Sequence, residues 1–296
     1  MQADIPFSKP VEQVIRKRYS CRAYALEPIE DEKKRNLLHF IRDIGSGPFG
    51  NSSRFTLISA TPSERNSLKG LGTYGFIRDA SGFIIGAVDK KSQRNLEDFG
   101  YLMEKVILRV TEMGLGTCWL GGTFTKSSFG RKAAVQEGEM VPAVAAVGNP
   151  GGGLRWIERL FRHRADAERR LPWESLFFRD GFSQTLAKTE AGDYCLALEM
   201  VRLAPSASNK QPWRVVKSGG AWHFFLKRTP GYRESTLVRL FTVADMQRID
   251  MGIAMCHFEL SLREARLAGE WGQLRPAEIH ASYGTEYIAS WIGSSI

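Results

Sequence analysis

The sequence predicts an α+β fold built from two related half-units within one chain of 296 residues. A long helical pattern between short apolar, strand-like runs occurs once in each half of the chain. When Leu96–Trp119 is aligned with Arg248–Trp271, seven positions match without a gap. The matched pairs are Asp98 and Asp250, Gly100 and Gly252, Met103 and Met255, Leu108 and Leu260, Glu112 and Glu264, Leu115 and Leu267, and Trp119 and Trp271.

Two copies of a unit this long do not form a solenoid. They fit a duplication in which one chain does what a symmetric homodimer normally does. We therefore expect an intramolecular pseudo-dimer, with residues 1–180 as the N-terminal half and residues 181–296 as the C-terminal half. A monomer is the expected state, because the fusion removes the need for a homodimer without forbidding one.

Each half has its own order of predicted elements. Proline and acidic residues open a helix at Ile29, and Gly114 closes the long helix of the first half. The first half is predicted to contain helices over 11–19, Ile29–Ile44 and Leu96–Met113, and strands over Phe55–Ile58, Phe83–Val88 and Pro142–Val147. The second half is predicted to contain helices over 191–203 and Ala244–Leu267, and strands over 213–217 and 222–227.

The composition excludes several classes of protein. No apolar run approaches the roughly 20 residues that cross a bilayer, and the N-terminus lacks the features of a signal peptide. The four cysteines are far apart without C-x-x-C spacing, which favours reduced thiols, a cytoplasmic location and no structural zinc. The five histidines are scattered, so we expect neither a metal site nor a Ser-His-Asp triad.

The net charge of +9 suggests an anionic partner such as nucleic acid, a phosphate-bearing cofactor or an acidic surface. Arginine is concentrated in residues 16–22 and 155–170. The second cluster is either a solvated face or a basic nucleic-acid-binding module. It matches no known nucleic-acid-binding motif, so nucleic acid is not the expected partner.

Two motifs of the first half suit a phosphate-bearing flat ligand. Arg18-x-Ser20-x-Arg22 places two guanidinium groups and a hydroxyl on one side of an extended segment, although such a face is common on exposed strands. Gly114 is explained as a helix cap, whereas Gly121 and Gly122 would let backbone N–H groups approach a ligand closely. The G-x-G-x-x-G and P-loop patterns are missing, which excludes those nucleotide sites.

The second half contributes the polar loop within Leu203–Trp213. Pro205 ends the preceding helix, and Ser206, Ser208 and Asn209 are residues that stabilise tight turns. The loop is either a plain connection or part of a binding site. Each half lacks the motifs that the other retains, so a site assembled from both halves would occur once per chain.

In combination, these motifs resemble the nitroreductase family of FMN-dependent oxidoreductases, and more narrowly its branch in which two half-sized units are fused. The motifs are Arg18–Arg22 with Pro28-Ile29, Asp98-x-Gly100, Gly114–Trp119 and Ala204–Trp213. Members of the family are usually intertwined α+β homodimers with FMN at the subunit interface. The resemblance implies a nitroreductase-like fold with one FMN per chain, since the motifs of the second site are lost.

The resemblance also implies four groups of cofactor-binding residues. They are an arm for the phosphate and ribityl chain, a segment against the isoalloxazine, a loop normally lent by the partner subunit, and a late basic residue at the phosphate. The arm is Arg18, Tyr19, Ser20 and Arg22, and the isoalloxazine segment is Trp119, Leu120, Gly121 and Gly122. The loop is Pro205, Ser206, Ala207 and Asn209, and the late basic residue is Arg170. The pyrimidine contact of the family, near Lys69–Tyr74, has no assignable residue.

The implied activity is hydride transfer from NAD(P)H through FMN to a small electron acceptor such as a nitroaromatic or a quinone. No catalytic side chain is implied, because the flavin carries the chemistry. An FMN-binding protein without reductase turnover is the alternative, and a nucleic-acid-binding module is a remote one. The sequence leaves the acceptor and the choice between NADH and NADPH open.

Overall fold

The structure is a computed structural model of the chain. It describes residues 7–60, 68, 71, 73, 75–122, 124–151, 169–231, 244–274, 276, 279 and 284–294. Most of the predicted pyrimidine contact region, 69–74, and the arginine cluster from 155 to 164 lie outside these residues. All statements about the fold below concern the described part of the chain.

Five strands of the first half form one antiparallel sheet. The strands are β1 (Arg54–Ser59), β2 (Gly82–Asp89), β3 (Gly116–Leu120), β4 (Glu139–Met140) and β5 (Val144–Gly148). Their order is β1-β2-β5-β3, with β4 also paired to β2. The helices that accompany this sheet are α1 (Val11–Lys17), α2 (Asp31–Arg42), α3 (Asn95–Glu112) and α4 (Lys126–Lys132).

A second sheet has the order β6-β7-β8-β10-β9, in which only the β6–β7 pair is parallel. Its strands are β6 (Phe177–Arg179), β7 (Trp213–Ser218), β8 (Ala221–Lys227), β9 (Gly269–Gly272) and β10 (Thr285–Gly293). The accompanying helices are α5 (Lys188–Ala191), α6 (Cys195–Leu203) and α7 (Met246–Glu264). Since β6 precedes residue 180, the second sheet begins just before the boundary predicted for the halves, which stays a prediction.

The long helices α3 and α7 lie against each other between the two sheets. α3 contacts β2 and β3, whereas α7 contacts β7 and β8. Gly100 and Gly252 mark the crossing, because a Cβ on Gly100 would strike the carbonyl oxygen of Ile249 and one on Gly252 would strike that of Glu97. Glycine is therefore required at both positions for the helix backbones to come this close.

The alternation of side chains sorts the first sheet into two faces. Ile84 and Ala145 face the main core around α3 and α7. Phe83, Leu120 and Val144 face a smaller apolar cluster on the opposite side, together with Phe129 of α4. This sorting leaves Trp119, the neighbour of Leu120 in β3, on the side of the helix pair.

Candidate functional site

A cavity of about 350 Å³ opens where the end of β3 meets the start of α7. Both halves of the chain contribute to its wall. The lining residues are Ser20, Arg22, Trp119, Gly121 and Gly122 from the first half, and Pro205, Ser206, Ala207, Ser208, Met246, Asp250 and Ile253 from the second. Its volume falls in the usual range for small-molecule sites, roughly 300–1,000 Å³.

The edge of the first sheet positions the N-terminal arm at this cavity. β3 is an edge strand, and Ser20 pairs with Thr117 in a short parallel bridge. The N–H of Cys21 donates to the carbonyl oxygen of Thr117 at 2.8 Å. These bonds hold the arm along β3, so Ser20 and Arg22 reach the cavity beside Trp119.

A buried polar network fixes the orientation of Trp119. Its indole Nε1–H donates to Oε2 of Glu104 at 2.9 Å. Oε1 of the same carboxyl lies 3.0 Å from Nε2 of His257, whose Nδ1 lies 3.0 Å from the carbonyl oxygen of Met200. Since Glu104 is on α3 and His257 is on α7, the wall of the cavity is held by both long helices.

The loop of the second half has the defined shape that its sequence predicts. Ser208, Asn209 and Gln211 adopt the left-handed conformation, with φ values of 50°, 53° and 48°. The hydroxyl oxygen of Ser206 accepts the N–H of Gln211 at 2.9 Å. At the opposite end, the N–H of Ala207 donates to Oδ1 of Asp250 at 2.9 Å, which ties the loop to α7.

Side chains of this loop also clamp the segment that carries Arg170. Asn209 accepts from the guanidinium of Arg170 at 2.9 Å and donates to the carbonyl oxygen of Arg169 at 2.7 Å. Gln211 accepts the N–H of Leu171 at 2.9 Å. Asn209 therefore positions Arg170, and it is not among the residues that line the cavity.

Arginines are gathered within electrostatic reach of one another near this clamp. The pKa of Arg170 is lowered to about 10. Burial is the largest cause, and the positive charges of Arg18 and Arg202 contribute as well. Burial also lowers the pKa of Arg18, against the opposing effect of Glu104 and Cys118. A guanidinium keeps its proton in practice, so Arg18 and Arg170 stay charged. Arg18 has the carboxyl of Glu104 at 3.9 Å, and Arg202 is ion-paired to Glu199.

Some residues expected at the cofactor lie elsewhere in the structure. Tyr19 and Arg18 line a separate cavity of about 50 Å³ between the arm and Gly114–Thr117. The side chain of Leu120 is buried in the apolar cluster on the far face of the sheet. The backbone of Leu120 remains next to Gly121. The cofactor roles of all the residues expected at the site stay predictions.

Four residues of the cavity wall were not predicted from the sequence. They are Ser208, Met246, Asp250 and Ile253. The last three lie on α7 at spacings of four and three residues, so they share one helix face. Asp250 also matches Asp98 in the internal repeat. Helix spacing combined with that repeat could have identified this face.

A second cavity of about 270 Å³ lies at the equivalent place on the other side of the helix pair. Its wall includes Trp271 and Tyr101, which align with Trp119 and Ile253, and Gly47 and Pro48, which align with Pro205 and Ser206. Glu259 fills part of this space. Its carboxyl accepts from Tyr101 at 2.8 Å, from the indole of Trp271 at 2.7 Å and from Arg263 at 2.7 Å.

The described residues limit other kinds of site. Among them, no cluster of three or more His, Cys, Asp or Glu side chains is arranged to hold a metal ion. The helices that the structure describes are all too short or too polar to cross a membrane. None of the four cysteines, all of which the structure describes, forms a disulfide bond.

Comparisons with known proteins agree with this fold. The chain is similar to a solved nitroreductase-type protein of Thermotoga maritima at 17% identity, with a TM-score of 0.58 over 96% of this chain and 94% of that one. A nitroreductase family protein of Clostridium difficile matches 55% of this chain and 94% of its own at 22% identity and a TM-score of 0.41. No curated protein matches the chain. Residues 10–262 match the family described as "Putative TM nitroreductase", and the chain therefore belongs to the nitroreductase family.

Proposed function

We propose that this oxidoreductase binds FMN and moves a hydride from NAD(P)H through it to a small electron acceptor such as a nitroaromatic or a quinone. The observation that carries the proposal is the cavity whose wall is shared by Ser20 and Arg22 of the arm, Trp119 of β3 and the Pro205–Ser208 loop. Membership of the nitroreductase family supports the same chemistry.

The residues of the cavity fit a flavin mononucleotide in shape and chemistry. Trp119, Met246 and Ile253 supply an apolar wall for a flat ring system. The hydroxyls of Ser20 and Ser206 and the guanidinium of Arg22 supply polar groups suited to a ribityl chain and a phosphate. A Cβ on Gly121 would strike the side chain of Met246, so glycine at this position lets the chain after β3 approach α7 at the cavity wall.

The bound flavin would supply the hydride chemistry, and the protein would bind and orient it. Ser20 and Arg22 of the arm, together with Arg170, which Asn209 positions, would hold the anionic end. The Pro205–Ser208 loop and α7 would cover the opposite side of the ring. The nicotinamide and the acceptor would use the same open slot in turn.

We propose one FMN per chain. The second cavity aligns with the first, but Glu259 and its ion pair with Arg263 occupy it, and Tyr101 replaces Ile253. The basic arm is present only in the first half. We propose accordingly that the chain acts as a monomeric pseudo-dimer and, since its four cysteines form no disulfide, in the cytoplasm.

The proposal is tested by titrating the flavin-free protein with FMN and then assaying NADH and NADPH oxidation with a quinone and a nitroarene. We expect about one FMN per chain. Arg22→Ala should weaken FMN binding by at least about tenfold, because a charge-assisted hydrogen bond is lost. Arg42→Ala removes the same charge from an exposed helix position and serves as the control.

Two outcomes would contradict the proposal at different levels. A protein that takes up no FMN would exclude a flavin site altogether. A protein that binds FMN tightly but oxidises neither nucleotide with any acceptor would show the alternative function, a flavin-binding protein without reductase turnover.

A further inference from the structure

Asp250 is a buried carboxyl in the wall of the cavity that has one oxygen in use and one unused. Only 1% of its surface is exposed. Oδ1 accepts the N–H of Ala207 at 2.9 Å. Oδ2 is buried and has no hydrogen-bond partner among the described residues. A buried polar atom without a partner costs free energy, so it calls for an explanation.

The equivalent residue of the first half shows what a purely structural aspartate does at this position. Asp98 uses both oxygens on its own loop. Oδ1 accepts the N–H of Phe49 at 2.9 Å, and Oδ2 accepts the N–H and the side-chain amide of Asn51 at 2.8 and 2.9 Å. Both carboxyl oxygens of Asp98 therefore accept hydrogen bonds from the loop.

In the second half, Oδ2 of the equivalent Asp250 has no such donor within the part of the chain that the structure describes. Asn209 aligns with Asn51, but its side chain turns to Arg169 and Arg170, and its N–H donates to the carbonyl oxygen of Ser206 at 3.0 Å. Oδ2 of Asp250 thereby loses the two donors that Asp98 has. This difference between Asp250 and Asp98 lies in the half whose loop, Pro205–Ser208, lines the cavity of about 350 Å³.

The surroundings of Asp250 favour its neutral form. Burial raises the pKa of its carboxyl well above the ordinary value, the N–H of Ala207 opposes this, and the charge of Asp245 adds to it. Asp245 is itself ion-paired to Arg228 at 2.7 Å, and Arg22 of the arm lines the same cavity. A neutral carboxyl carries an O–H, which is a hydrogen-bond donor in search of an acceptor.

We propose that Asp250 binds as a protonated donor to a carbonyl or ring-nitrogen acceptor of the flat heteroaromatic ligand held in this cavity. This inference rests on the proposed function and adds a ligand-binding residue to it. Asp250 thus recognises the ring through an O–H, whereas Ser20 and Arg22 of the arm recognise the anionic end. A carboxylate at this position would instead repel the electron-rich atoms of such a ring.

The test measures the affinity of the flavin-free protein for FMN by fluorescence quenching, from about pH 6 to about pH 9, a range in which strongly buried carboxyls titrate. Wild type should bind more weakly as pH rises, because the donor is lost on ionisation. Asp250→Asn keeps an acceptor for Ala207 and an N–H donor, so its affinity should lack the loss that ionisation of Asp250 causes in wild type. Asp250→Ala should bind about tenfold more weakly than wild type at the acidic end.

Two controls separate this effect from others. The phosphate of FMN titrates near pH 6, but wild type and Asp250→Asn share that titration, so their ratio removes it. Asp98→Asn alters the equivalent carboxyl outside the cavity and should keep the pH profile of wild type. If Asp250→Ala does not fold, the comparison of wild type with Asp250→Asn decides alone.

The inference is overturned if wild type and Asp250→Asn share one pH profile, or if a folded Asp250→Ala binds FMN as tightly as wild type. Either result would leave the proposed function intact. A wild-type protein that binds no FMN at any pH would instead overturn the proposed function, and this inference with it.

Discussion

Oε1 of Glu104 lies 3.0 Å from Nε2 of His257, and both side chains are fully buried between α3 and α7. The carbonyl oxygen of Met200 can only accept, so Nδ1 of His257 carries a proton in that bond. The hydrogen bond between Nε2 of His257 and Oε1 of Glu104 then needs a second proton, located on one of these two atoms. This pair joins the two long helices and, through Trp119, the wall of the cavity.

Glu104→Ala should destabilise the protein by about 3–5 kcal/mol, the usual result of removing one partner from a buried pair. The substitution removes the acceptor of Trp119 and the partner of His257 together. Urea unfolding at neutral pH measures the loss. Glu30→Ala, which breaks an exposed pair with Lys33, should cost under about 1 kcal/mol. Equal effects for the two variants would contradict a structural role for the buried pair.

Gly100→Ala and Gly252→Ala should each destabilise the fold by about 3 kcal/mol or more. Each new methyl group would strike a carbonyl oxygen of the opposite helix, and backbone atoms cannot turn aside. Gly130→Ala in α4 is the matched control, since its nearest neighbour would be 4.0 Å away. It should be neutral or gain up to about 1 kcal/mol from helix propensity. Thermal or urea unfolding of the three variants tests the crossing.

The long elements could be predicted from sequence because their patterns are strong. The predicted helices at Leu96–Met113 and Ala244–Leu267 correspond to α3 and α7, and the apolar run at 83–88 lies within β2. These segments have many apolar residues at one period, so local pattern and tertiary burial agree. The repeat between α3 and α7 also pointed to the pair of glycines that proves to lie at their crossing.

Several strands were not predicted because their local signals conflict. The sequence around β3 has glycines on both sides and was not predicted as a strand, yet pairing with β5 makes Gly116–Leu120 a strand. β9 and β10 mix small and polar residues with tryptophan, and pairing with β8 decides their structure. Tertiary contacts outweigh weak local preferences in such segments.

The cavity residues that belong to sequence motifs were predicted, whereas those that lie on the face of α7 were not. Ser20, Arg22, Trp119 and Pro205 belong to recognisable motifs and do line the wall. Met246 and Ile253 look like ordinary core residues in sequence, and they line the cavity because they share a face of α7 with Asp250. Asn209 belongs to a motif but does not line the cavity; it holds Arg170 in place instead.

The carboxyl of Glu112 should make stability depend on pH in the acidic range. Burial raises its pKa, but hydrogen bonds from Lys9, Ser8 and Arg109 outweigh burial and lower the pKa overall. A carboxyl with a folded-state pKa below its unfolded value, about 4.3, stabilises the protein above that pH. This stabilisation is lost as pH falls through the folded-state pKa.

Glu112→Gln should therefore cost about 1–2 kcal/mol at pH near 7, and the difference from wild type should shrink toward about pH 3. Urea unfolding at several pH values measures both quantities. Glu137→Gln removes an equal charge at an exposed position and controls for net charge. A difference between wild type and Glu112→Gln that stays constant with pH would show that the lost contacts do not depend on ionisation.

The double variant Ser206→Ala, Asn209→Ala should weaken FMN binding by about tenfold or more, since two hydrogen-bonded supports of one site are lost. Ser206 lines the cavity and holds Gln211, and Asn209 holds Arg170 in place. The first half should stay folded, as judged by circular dichroism and an unchanged tryptophan environment. Asn51→Ala is the matched control, because Asn51 supports the equivalent loop at the second cavity. It should lower stability and leave FMN affinity unchanged, whereas unchanged affinity in the double variant would contradict a site shared between the halves.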